Sequence, residues 1–285
     1  MTDRKDRRTE VLNKDVAAFL ALAYLISWLF LGLFVVLWHT SLNQTLSWWV
    51  VVFLPGAYGP TIAAVIQVGR LRGWAGIRQL LGKLLRWRVR ARWYAFALIV
   101  PPAVVGASIL LSTFRSEALT GFHPWPGLLI APVALVAALP FGPLGEELGW
   151  RGYALPRLLE SAGLWRSSLI LGLAWTFWHL PMFWFPGAAI PSFLSPGPAS
   201  IGLYAAQITA EACLLTFLYV MTQGSVLLAV LYHLSFNTAE TILFRMIPEP
   251  TASQELQVYV INIVLSWVLA AALLVWLGRR LKSTA

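Results

Sequence analysis

The chain has 285 residues, 59% of them hydrophobic and 12% charged, with a mean hydropathy of +0.72; a soluble domain carries about 25% charged residues. That composition excludes an ordinary soluble globular fold and points to an all-α, polytopic transmembrane bundle. The net charge of +9 comes from basic clusters set between apolar spans, which fits a membrane surface and argues against nucleic acid as a partner.

In chain order, residues 1–15 form a mixed-charge lead, and the apolar run 16–38 is too long for a signal-peptide core and reads as a retained first span. Further spans of about 20 apolar residues are expected at 47–68, 93–113, 126–145, 167–185, 200–221, 224–245 and 257–278, about eight in all. Between the second and third lies the basic segment 70–92, with Leu, Ile and Trp among its arginines, which reads as an interfacial helix drawn to anionic lipid headgroups. With eight spans, 19 of the 21 Lys and Arg fall on one side, and Arg115 and Arg245 fall opposite. The positive-inside rule makes the basic side the cytoplasm and puts both termini there. The organisation is thus a cytoplasmic lead 1–15, N-terminal spans 16–125, a core 126–245 that carries the candidate catalytic residues, and a last span with a basic tail, 246–285. Cys213 is the one cysteine and sits in an apolar run, so no intramolecular disulfide or cysteine metal cluster is possible.

Ionisable groups within spans are costly and usually functional, and this chain has few. The fourth span ends in "FGPLGEELGWRGY", residues 141–153. If helix continues through it, Glu147 and Arg151 are four apart, share a face and can pair. Glu146 lies about 100° around the helix from Glu147 and is left for another task. His179, in "WTFWH" at 175–179, shares a face with Trp175 and precedes Pro181 and Pro186, so its helix is expected to end or kink near it. His233 and Asn237, in "HLSFN", are four apart on the seventh span. Glu211 reads as a helix–helix hydrogen bonder, and Glu240 lies about one turn past Asn237; neither has an assigned role.

Taken together, a glutamate, two histidines and an asparagine from three spans are an inventory for hydrolysing an acyl bond. A carboxylate or histidine can serve as general base on water, or bind a metal, and an asparagine or histidine can donate to a developing oxyanion. The zinc motif H-E-x-x-H is absent, as are the serine nucleophile elbow, Walker and dinucleotide fingerprints. No aspartate follows Asp15, which excludes an aspartyl intramembrane protease.

Three motifs carry a resemblance. "EELGWR" at 146–151 matches E-E-x-x-x-R, "WTFWH" at 175–179 resembles F-x-x-x-H, and "HLSFN" at 233–237 matches H-x-x-x-[ND], in order, on a multi-span chain. These are the motifs of the CAAX protease and bacteriocin-processing (ABI) family, and the chain resembles that family's type II CAAX prenyl endopeptidases over roughly 140–240. Trp175 stands where phenylalanine is commoner and reads as a packing variant. The resemblance implies an intramembrane endopeptidase acting on a protein or peptide at the membrane. By analogy, Glu146 activates water with His179, His233 and Asn237 stabilise the oxyanion or help hold a metal, and Glu147, Arg151 and Trp175 support the site. A Zn2+ ion held by Glu146, His179 and His233 and a metal-free glutamate mechanism both suit these residues. The expected location is a bacterial inner membrane, with the site reached from the cytoplasm. Two other classes compete: a non-catalytic immunity or scaffold protein of the same fold, and a proton-coupled transporter using Glu146, Glu240 and the histidines as a relay.

Overall fold

The computed structural model describes residues 2–38, 49–113, 123–184, 190–246 and 250–283, and among them there is no strand. The described residues build eight main helices: α1 (Thr2–Trp38), α2 (Gly59–Gly82), α3 (Ala91–Thr113), α4 (Pro124–Phe141), α5 (Leu155–Trp178), α6 (Pro198–Met221), α7 (Val226–Phe244) and α8 (Ala252–Ser283). Helices satisfy their backbone polar groups internally, which is what hydrocarbon demands of a spanning segment. Proline in the first turn helps start α2, α4, α5 and α6, where its missing N–H costs nothing.

Among the described residues, six helical runs are long and apolar enough to cross a membrane, or up to seven if the bent pair Val51–Ala57 and Gly59–Leu85 counts as one span. The run Pro124–Trp184 is 61 residues long and contains two of the segments expected from sequence, 126–145 and 167–185. The protein is an all-α, multi-pass integral membrane protein. Arg115, Pro186 and the side chain of Glu240 lie outside the described residues.

At the centre is α6, where every residue from Gln207 to Tyr219 is buried. It packs against α5 and α8, with α7 alongside. By contrast, α4 is exposed along most of its length: Leu128, Leu129, Val133 and Val136 face outward, as on a lipid-facing helix. Its first turn meets the end of α7, and His123 N donates to Met246 O at 2.8 Å.

The basic segment is built into the fold at three points. Lys83 Nζ donates to Gly152 O at 2.6 Å and Arg86 Nη1 to Gln223 O at 2.6 Å. Ser225 Oγ donates to Arg86 O at 2.8 Å and caps α7 by accepting from Leu228 N. A break at Gly73 (φ 59°) turns the chain within α2, and Trp74, Leu81, Leu85 and Trp87 stay exposed.

Candidate active site

The chain breaks at Gly142 after α4, and Pro143 opens a short helix, Pro143–Glu147. The next seven residues, Leu148–Ala154, wind as a π-helix and are all buried; such wide turns are frequent at functional sites. Close packing holds this segment in place. A Cβ on Gly145 would lie 2.7 Å from Ala57 O, and one on Gly149 would lie 2.5 Å from Pro60 O. Only glycine lets the two backbones approach this closely. Glu146 and Glu147 are therefore fixed against the bend between Ala57 and α2.

Glu147 and Arg151 pair as their spacing predicts, with Arg151 Nη1 donating to Glu147 Oε1 at 2.7 Å and both side chains wholly buried. His233, on α7, adds a second donor to the same oxygen, Nδ1 to Oε1 at 2.8 Å. The Arg151 guanidinium also lies over the Trp175 ring, 4.2 Å from its centroid, a cation–π contact between two buried side chains.

Glu146 is 3% exposed. Its Oε2 accepts from the Trp175 indole Nε1 at 2.6 Å, a bond that phenylalanine could not make. Trp175 is thus more than the packing residue its sequence position suggested. A Cβ on Gly142 would lie 3.3 Å from both Glu146 Oε1 and Asn237 Nδ2, so these two polar atoms look onto one small space that glycine leaves open.

Helix α5 ends at Trp178, and His179 caps it, as the following prolines led us to expect. His179 Nδ1 donates to Trp175 O at 2.9 Å, leaving Nε2 as the acceptor of the neutral ring. Because His233 Nδ1 is likewise engaged, its Nε2 also carries the lone pair when the ring is neutral. Rings from two helices enclose the histidines: Trp175 of α5 stands edge-on to His233 at 5.0 Å, and Tyr204 of α6 edge-on to His179 at 5.4 Å.

Glu146, Trp175, His179, His233 and Asn237 all line one cavity of about 1100 Å³. The structure thus brings the three motifs together from separate helices. Glu147 and Arg151 sit behind this wall, and Glu211 lies deeper, between α6, α7 and α8. Sequence reading passed over Gly142, Tyr204 and Gln207, which also line the cavity. Their signal, for the last two, was a polar row at 204, 207 and 211 on one face of α6.

For zinc, the donor chemistry is suitable. Each histidine has its Nδ1 held by an oxygen, the arrangement that orients metal-ligating imidazoles. However, no group of three His, Cys, Asp or Glu side chains among the described residues is gathered closely enough to hold a metal ion.

A multi-pass helical bundle with a buried glutamate and two histidines on an internal cavity is the class of protein in view. Residues 128–239 match the family model described as "Type II CAAX prenyl endopeptidase Rce1-like". The chain is also 26% identical over 226 residues to a CAAX prenyl protease 2 of Methanococcus maripaludis, covering 75% of this chain and 83% of the relative. The resemblance to the type II CAAX prenyl endopeptidase family, read first from three short motifs, is borne out, and it supports a membrane endopeptidase.

Proposed function

We propose that the protein is an intramembrane endopeptidase in which Glu146 activates the attacking water. The observation that carries this reading is the geometry at Gly142, where Glu146 Oε1 and Asn237 Nδ2 face the same space on the cavity wall. Water there gives a proton to Glu146 while its oxygen attacks the peptide carbonyl carbon. Asn237 Nδ2–H donates to the oxyanion, and Glu146 passes the proton to the departing amine nitrogen as the C–N bond breaks. His179 Nε2, a lone-pair acceptor, orients the water. His233 supports the oxyanion only as the protonated ring, since its neutral Nε2 cannot donate. Glu147, Arg151 and Trp175 hold these groups in place.

The substrate we propose is a protein or peptide associated with the membrane. Glu146→Gln keeps the shape and removes the base, so turnover of a peptide by the purified protein should fall by roughly 10²–10⁴-fold; full activity in that variant would falsify the mechanism. Protection of cells by the same variant would favour the non-catalytic immunity reading. Zn2+ bound by Glu146, His179 and His233 would require these side chains to draw together, and no step above passes through it. Turnover unchanged after dialysis against a strong chelator is the expected result.

From the charge pattern, we further propose a bacterial inner membrane with the basic helix ends in the cytoplasm and substrate entering from that side. Arginines of 70–92, beside exposed Trp74, Leu81 and Trp87, would rest on anionic headgroups there. The cavity extends past the site to Thr241, Arg245 and Glu255, at the end of α7 away from its Arg86-bound start, which on the eight-span count is the outer end, so an outer route is the competing reading. Thiol labelling of Thr241→Cys with an impermeant reagent, on a Cys213→Ser background, tests the route. Labelling from the outer face alone would sink the cytoplasmic one.

A further inference from the structure

A second buried polar cluster joins α6, α7 and α8 away from the three motifs. Glu211 is 3% exposed. Its Oε1 accepts from Gln207 Nε2 at 2.8 Å and from Ser266 Oγ at 2.9 Å, and its Oε2 accepts from Tyr232 OH at 2.7 Å. A carboxylate only accepts hydrogen bonds, so it fixes which end of the Gln207 amide faces it. The NH2 turns toward Glu211 and the carbonyl oxygen turns away. That oxygen, Gln207 Oε1, is buried and has no hydrogen-bond partner among the described residues. The Gln207 side chain is 1% exposed and lies on the wall of the cavity that holds Glu146. One turn earlier on the same face, Tyr204 touches His179.

A buried acceptor with no donor among the described residues, on a side chain that lines a cavity, calls for a donor from whatever occupies that cavity. An extended peptide offers a backbone N–H at every residue, whatever its side chains. We propose that Gln207 is a substrate-positioning residue whose Oε1 accepts a hydrogen bond from a backbone N–H of the peptide lying beside Glu146. Glu211 acts through it, holding the amide in the accepting orientation. The inference rests on the endopeptidase reading and adds a specific contact to it.

The test uses the purified full-length protein in detergent and an internally quenched decapeptide of alternating leucine and alanine. Each backbone amide is N-methylated in turn, and both binding and cleavage are measured. One N-methyl position should raise KM about 3- to 10-fold in the wild type, with kcat nearly unchanged. Gln207→Met, of similar volume, should raise KM for the parent peptide by a like factor and be insensitive to methylation at that position. The inference is overturned if Gln207→Met shows the wild-type KM and the wild-type methylation profile. It is equally overturned if no single methylation weakens binding to the wild type, a result that stands even where Gln207→Met does not fold. Failure of the endopeptidase reading shows separately, as binding of the peptide by the wild type with no cleavage of it. Binding profiles then still decide the role of Gln207.

Discussion

Two buried glutamates, Glu146 and Glu211, are equally hidden, at 3% exposure each, yet they are furnished differently. Glu211 has both oxygens occupied, by Gln207, Ser266 and Tyr232 from three helices. Glu146 has one oxygen held by Trp175 and the other facing the space over Gly142. In a low-dielectric interior an acceptor without a donor is costly. Among the described residues no donor reaches the Glu146 oxygen beside the cavity, which suits the role proposed for it, whereas the fully bonded Glu211 ties helices together. Glu147 is a third case, with Arg151 and His233 meeting at one of its oxygens.

The sharpest way to break the contrast is to neutralise each carboxylate in the same way. Glu146→Gln should cost the roughly 10²–10⁴-fold in turnover given above, with thermal unfolding little changed. Glu211→Gln should leave kcat within a few-fold and lower stability by about 1 kcal/mol; a kcat loss matching that of Glu146→Gln would erase the distinction. Next in size, Arg151→Met leaves Glu147 buried beside His233 without its guanidinium. Removing one partner of a buried pair costs about 3–5 kcal/mol, which should appear as a large drop in unfolding temperature in detergent. Trp175→Phe removes a single donor from Glu146 and keeps an aromatic ring. Turnover should fall about tenfold, the worth of one hydrogen bond to a charged group, with stability nearly preserved. Wild-type turnover in Trp175→Phe would return that residue to a packing role.

Much of this was legible in the sequence because it depends on local spacing. Hydropathy gave the helical, multi-pass character, and the interval of four gave the Glu147–Arg151 pair. The proline-rich stretch after His179 foretold the end of α5. What stayed hidden depends on contacts between distant segments. The indole of Trp175 reaches Glu146 across 29 positions, and His233 reaches Glu147 across 86. Glu211 could be read as a hydrogen bonder, but its partners Tyr232 and Ser266 come from two other helices. The basic segment read as a surface feature, and its exposed tryptophans agree, but no composition rule foresees Lys83 and Arg86 bonding to particular carbonyls. Span counting by hydropathy was also coarser than the fold. Bends and merged runs leave six or seven candidates by length and composition, where eight apolar segments were expected.

The contact of Gly145 and Gly149 with Ala57 and Pro60 bears on how small a working version of this protein can be made. The family match begins at residue 128, which invites excision of a minimal enzyme from that point onward. Such a fragment would keep all three motifs and lose the backbone surface against which its two glutamates are set, as well as the Lys83 bond to Gly152. The first hundred residues are in this sense half of the mould in which the active segment is cast. Any transplant of the motifs into another bundle would have to carry residues 57–60 with them.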